Sequence, residues 1–192
     1  MGIMPNLYII AGPNGAGKTT AAHVLLPEFL HCEKYINADY IAAGMNPLRP
    51  ELSAIAAGRV MLNEIHEAME NKVSFAFEST LSSRSFFKIL KQAKNSGYIV
   101  SIIYLWLRSA DIAVERVAQR VAEGGHNVPE KTIRRRYERS IKNFFELYMP
   151  LADNWTVYDN YQEYPALVAN LEEKSTKVKE EAKWKIIKQM SQ

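Results

Sequence analysis

Residues Gly12-Pro13-Asn14-Gly15-Ala16-Gly17-Lys18-Thr19 carry the pattern G-x-x-x-x-G-K-[ST]. The apolar run Leu7-Tyr8-Ile9-Ile10-Ala11 precedes it, and a helix-forming stretch follows it. Each residue type has a reason to be there. Glycines let the backbone curl until successive N–H groups point into one concavity sized for phosphate oxygens. Lys18 places a point charge on the outer phosphates, and the Thr19 hydroxyl is a Mg²⁺ ligand. A helix opening near Gly17 adds its positive end. Gly12, Asn14, Gly15, Ala16, Gly17, Lys18, Thr19 and Thr20 are therefore the expected ATP-binding set.

A phosphate loop says what is held, not what is done with it. The reacting groups must come from neighbouring strand ends. Asp39, in Asn37-Ala38-Asp39, is one candidate. It either accepts the proton of an attacking hydroxyl or caps the segment Tyr40-Ile41-Ala42-Ala43. Glu78, directly after Phe75-Ala76-Phe77, stands where a carboxylate reaches a metal shell or a substrate. Ser79 and Thr80 beside it either bond a substrate or cap the next helix. The third candidate is basic: from Arg108 to Lys142 there are nine Lys or Arg against five acids. Arg116 and Arg120 share a helix face at i, i+4. Gly124-Gly125-His126-Asn127-Val128-Pro129 then makes a glycine-bearing loop ahead of Arg134-Arg135-Arg136. Helix, loop and basic helix together read as a lid that brings guanidinium groups to a transferring phosphate. The competing reading is a solvated charged helix, with His126 an ordinary loop residue.

The elements that must position these groups alternate between strand and helix. Strands are expected at Leu7–Ala11, Tyr35–Asn37, Val73–Phe77, Tyr98–Leu107 and Trp155–Tyr158, the fourth buried on both faces. Helices are expected from Gly17 to Pro27, Leu52 to Asn71, Phe86 to Lys94, Asp111 to Glu123 and Pro129 to Tyr148. The Lys- and Glu-rich tail, about 165–192, reads as one helix, with Trp184, Ile186 and Ile187 to bury. Such alternation predicts an α/β fold, a mainly parallel sheet with helices on both faces.

At 192 residues, 47% hydrophobic and 23% charged, the chain has the profile of one soluble domain, 1–192. No apolar stretch approaches membrane-spanning length, and no secretory signal is visible, so the expected address is the cytoplasm. Cys32 is the only cysteine, which excludes an internal disulfide framework. A net charge of +3 is too mild to argue for nucleic acid.

Taken together, these stretches resemble the zeta-toxin family of P-loop kinases. The matching runs are 12–20, Ile-Asn-Ala-Asp at 36–39 and Phe-Ala-Phe-Glu-Ser-Thr-Leu at 75–81. Two more are Arg-Val-Ala-Gln-Arg-Val-Ala-Glu-Gly-Gly-His-Asn-Val-Pro-Glu at 116–130 and Ile-Arg-Arg-Arg-Tyr-Glu-Arg-Ser at 133–140. The resemblance implies a P-loop kinase fold with a helical lid at about 116–140. It also implies transfer of the ATP γ-phosphate to a sugar hydroxyl of UDP-N-acetylglucosamine, and silencing by a separate antitoxin protein. In that family Asp39 matches the general base and Glu78 the acid that meets substrate or metal. Arg120 matches a lid arginine. A second lid arginine of the plasmid-type toxins falls where this chain has Gly125-His126, so Arg134 or Arg135 is implied to supply that charge. Asp39, Lys18, Arg120 and Arg134 are thus the expected catalytic set, with Asp39, Glu78 and Thr80 on the substrate and Thr19 and Glu78 on Mg²⁺. Two alternatives stand beside this reading. One is a kinase acting on a nucleotide, dinucleotide or nucleic-acid end, and the other is a P-loop ATPase switch that binds RNA or a protein.

Overall fold

A computed structural model of the chain describes residues 4–125, 127–162 and 164–192. Among these, the first three strands are β1 (Asn6–Ala11), β2 (Lys34–Ile36) and β3 (Phe75–Ser79). They are followed by β4 (Ile99–Trp106), β5 (Asn154–Asp159), β6 (Ala166–Glu172) and β7 (Ser175–Val178). They form one sheet in the order β2-β3-β1-β4-β5-β6-β7. The first five are mutually parallel, and β6 and β7 are antiparallel additions. The helices are α1 (Lys18–Glu28), α2 (Ala38–Met45), α3 (Ala54–Glu70), α4 (Ser85–Asn95), α5 (Ala110–Ala122), α6 (Glu130–Asn143) and α7 (Glu181–Met190).

Central strands are apolar because both of their faces are covered. Leu7, Ile9, Ile10, Phe75 and Phe77 are fully buried. In β4 this holds only for the second half, since Ile99, Ser101 and Ile103 are half-buried. Chain order reverses at β1, which lies between β3 and β4, so the carboxyl ends of β1 and β3 open a crevice there. Ile10 pairs with Glu78 in register, setting the Glu78 carboxylate level with the start of the phosphate loop. Glu78 therefore lies inside β3 rather than after it, because the strand is shifted toward the carboxyl end of the expected span.

Other boundaries move for local reasons. Pro27 is accommodated in the last turn of α1 instead of stopping it. A 3₁₀ turn, Pro50–Ser53, precedes α3. The expected helix through Tyr148 is α6 followed by a π turn, Phe144–Tyr148.

The tail departs most. Instead of one helix over 165–192 it forms the β6–β7 hairpin and then α7. Residues Glu173 and Lys174 have φ of 49° and 63°, the left-handed pair that a tight hairpin turn requires. The edge of β5 needs a partner for its backbone groups, and β6 supplies it while burying Val168 and Ala169. That requirement outweighs the weak helix preference of Glu and Lys. Trp184 of α7 stacks on Trp155 of β5 with ring centroids 5.7 Å apart, so the last helix closes over the domain's own sheet.

Candidate active site

The turn between β1 and α1 depends on glycine for space as well as angle. Gly12 has φ 141°, and a Cβ there would meet the Leu105 carbonyl oxygen at 2.3 Å. Gly17, with φ 76°, is the N-cap of α1, and a Cβ on it would meet Asn160 Nδ2 at 2.7 Å. That amide donates to the Ala16 carbonyl at 2.7 Å. Arg116 braces the same loop, donating to the carbonyls of Asn160 and Tyr161, each at 2.8 Å, and weakly to Gly15 O. Its guanidinium is thus bound to backbone carbonyls of the phosphate loop and of the β5 end. Only its helix neighbour Arg120 reaches the cavity beyond.

Lys18 is buried, and its Nζ donates to Pro13 O at 3.0 Å and lies 3.8 Å from Glu78 Oε1. Burial holds its pKa below the usual value, while the charges of Glu78 and Asp39 act in the opposite sense. Arg120 and Arg136 push in the same direction as burial. Glu78 Oε2 accepts from Thr19 Oγ1 at 2.8 Å, Tyr35 Oη at 2.7 Å and Asn37 Nδ2 at 3.2 Å. Burial, then the neighbouring Glu78 charge, raise the Tyr35 pKa, so the phenol stays a donor.

The capping reading of Asp39 does not hold. The Asn37 side chain caps α2, accepting from the N–H groups of Asp39 (2.8 Å) and Tyr40 (3.4 Å). Asp39 sits inside the first turn and is not the cap. Its residue lines a cavity of about 210 Å³ shared with Asn14, Lys18, Glu78, Thr80, Arg120 and Arg136.

One candidate is misplaced. The Arg134 guanidinium is paired with Asp111 at 2.6 Å and Glu130 at 2.8 Å, outside that cavity. Arg136 lines it instead. The reason is helical phase: Ile133, Tyr137 and Ile141 bury one stripe of α6, and this turns Arg136 inward along one flank. Arg135 faces a neighbouring groove. His126 lies outside the described residues.

ATP and Mg²⁺ fit these residues. Asn14 Oδ1 is buried in the phosphate loop with no hydrogen-bond partner among the described residues. The buried Lys18 lines the same cavity as Asn14. A second cleft of about 630 Å³, beyond Gly17 and Thr20, is lined by Leu105, Tyr158, Arg116 and Asn160. Its apolar walls suit a base and ribose. Among the described residues no group of three or more His, Cys, Asp or Glu converges. Mg²⁺ on a triphosphate needs only one or two protein oxygens, which Thr19 and Glu78 would provide.

Sequence reasoning missed Tyr35, Asn37, Asn160 and the choice of Arg136. Asn37 stands in the Ile-Asn-Ala-Asp run, where an Asn before a short helix is a capping signal. Nothing in the linear pattern marked Asn160.

The family model described as "Zeta toxin" matches residues 45–175. A protein of Haemophilus influenzae described as uncharacterized is 35% identical over 138 residues, 70% of this chain and 95% of that protein. Among solved structures, the AvrRxo1-ORF1:AvrRxo1-ORF2 complex with sulphate ions superposes with TM-score 0.76 at 15% identity. It covers 97% of this chain, which spans 64% of that chain's length. The same complex solved with ATP gives 0.75 at 16% identity and the same coverage. The PezAT chromosomal toxin–antitoxin system of Streptococcus pneumoniae gives 0.72 at 16%, covering 98% of this chain and 79% of the other. These likenesses show a shared fold. By the family match over residues 45–175, the chain belongs to the Zeta toxin family.

Proposed function

We propose that this protein is an ATP- and Mg²⁺-dependent kinase that phosphorylates the hydroxyl of a small molecule, a UDP-amino sugar such as UDP-N-acetylglucosamine, as a zeta-type toxin in the cytoplasm. The observation that carries the reading is the shared cavity of Lys18, Asp39, Glu78, Arg120 and Arg136 at the switch point of the sheet. The solution of a structural neighbour with ATP supports the choice of nucleotide. The toxin–antitoxin neighbour from S. pneumoniae supports a separate antitoxin as partner. No helix of the described residues is long and apolar enough to cross a membrane.

In this reading the Asp39 carboxylate orients the acceptor hydroxyl and takes its proton as the oxygen attacks. A bond forms from that oxygen to the γ-phosphorus, the bond to the β-bridging oxygen breaks, and ADP leaves. Lys18 and the loop N–H groups hold the β- and γ-phosphates. Arg120 and Arg136 meet the charge that builds on the transferred group, work that positioning and electrostatics can do almost alone. The metal, when bound, neutralises charge on the phosphate oxygens; Thr19 and Glu78 would hold it. Tyr35 and Asn37 keep Glu78 aimed.

The test is acceptor-dependent ATP turnover with products identified by mass spectrometry, across nucleotide sugars, nucleotides and NAD. The reading expects one acceptor to gain a single phosphoryl group with wild type and not with Lys18→Ala or Asp39→Asn. ATP hydrolysis with no phosphorylated product on any acceptor would overturn it.

A further inference from the structure

A further concavity of about 550 Å³ opens beside the catalytic cavity, between the β3–α4 loop and α6. Ser82, Ser83 and Arg84 form one wall; Arg135, Arg136, Arg139, Lys142 and Asn143 form the other. Five cationic side chains thus face one groove whose lining contains no acid. Some cations elsewhere are paired, as Arg108 is with Asp159 at 2.9 Å and Lys94 with Asp153 at 2.7 Å. Here, among the described residues, Arg84, Arg135, Arg136 and Arg139 have no carboxylate within 4.0 Å, and only Lys142 has one, Glu146 at 3.5 Å.

Gathering like charges in a concavity is unfavourable by itself, and low-dielectric walls focus the resulting field. A bound anion removes that penalty. Residues 135, 139 and 142 fall on one stripe of α6 roughly 10 Å long, at 1.5 Å per residue. That reach suits phosphate groups of a small ester. The walls are fixed in advance. Asn143, itself buried, donates to the Leu81 carbonyl at 2.8 Å, and Tyr148 Oη donates to Ser83 O. Leu81 is held at φ 53°, a strained conformation for a side-chain-bearing residue, and is fully buried. These bonds tie the loop to α6 and the turn after it. Arg136 lines both the groove and the catalytic cavity, so the two lie side by side.

We propose that this groove is a phosphate-binding site separate from the P-loop, and that it takes the phosphate or diphosphate of a small phosphorylated molecule. The proposal extends the kinase reading, for which Arg136 would bridge the anion to the transferring group. The phosphate belongs either to the acceptor itself or to a separate phosphorylated effector.

The experiment is calorimetric titration of pyrophosphate into full-length protein whose P-loop is saturated with a non-hydrolysable ATP analogue. Wild type should show one further site, weakened about 10-fold or more in Arg139→Gln/Lys142→Gln and in Arg84→Gln, with the analogue's affinity unchanged. These side chains are exposed, so the variants keep the fold. Absence of the further site in wild type, or equal binding by all variants, would overturn the proposal. So would binding of single-stranded oligonucleotide without binding of pyrophosphate. UDP that displaces pyrophosphate and loses affinity in the same variants would assign the phosphate to the acceptor. Pyrophosphate binding indifferent to UDP would assign it to an effector. Failure of the ATP analogue to bind would sink the kinase reading alone, because the groove can still be titrated.

Discussion

The Thr19 hydroxyl donates to Oε2 of Glu78 at 2.8 Å, joining the first turn of α1 to the end of β3 across 59 positions of sequence. The bond ties the phosphate loop to the one carboxylate that also touches Tyr35 and Asn37. It sets the two expected metal-binding oxygens side by side.

Asp39→Asn keeps the first turn of α2, because Asn37 and not Asp39 is the cap. We expect acceptor-dependent turnover to fall by about 100-fold or more, with ATP-analogue affinity unchanged. Parallel turnover assays and binding titrations read the two effects separately. A near-normal rate would remove Asp39 from the chemistry.

Arg136→Gln and Arg134→Gln separate the flanks of α6. The first should lower turnover by roughly 10²-fold or more, as loss of a transition-state cation does. The second should leave turnover within about two-fold, since Arg134 is exposed and paired with Asp111 and Glu130. The reverse order would return the role to Arg134.

Lys18 carries a depressed pKa because it is buried, and phosphate binding should raise it again. The bound form then holds its proton more tightly than the free form, so nucleotide affinity falls as pH rises through the lowered free-enzyme pKa, below 10.5. In the free protein, the unfolded chain binds the proton more tightly, so this group's contribution to stability rises with pH over that window. Titrations of the ATP analogue at alkaline pH should show the loss in wild type. Lys18→Met should bind weakly with no such slope.

Gly12→Ala should destabilise by more than about 3 kcal/mol, because its Cβ would strike a backbone oxygen that cannot rotate away. Gly97 also has positive φ, yet open space surrounds it. Gly97→Ala should therefore cost only about 1 kcal/mol from backbone strain. Urea unfolding of the pair distinguishes collision from strain.

Tyr35→Phe removes one donor to Glu78 and one of the two acceptors of the Asn37 amide. A stability loss of about 1–2 kcal/mol is expected, with weaker Mg²⁺ dependence of turnover because Glu78 is less firmly aimed. Unchanged stability and unchanged metal dependence together would mean that Glu78 holds its position without the phenol.

The phosphate loop was legible in the sequence because its chemistry is local. Contiguous residues bend a strand into a helix; glycines satisfy the bend, and a lysine followed by a hydroxyl residue satisfies its ligand. The alternation that predicts a parallel sheet is equally local, as is the carboxylate at the end of an apolar strand. Tertiary structure decided what depends on partners far along the chain. The run Arg134-Arg135-Arg136 does not by itself rank its members, and the family resemblance implied Arg134 or Arg135. Burial of Ile133, Tyr137 and Ile141 in the core fixes the rotation of α6 and brings Arg136 to the cavity. The tail has the composition of a helix, yet β5 presents an edge whose backbone groups must be paired, and β6 pairs them. Composition sets a weak local preference; the requirement to satisfy backbone hydrogen bonds at a sheet edge is stronger, and it exists only once the sheet has formed.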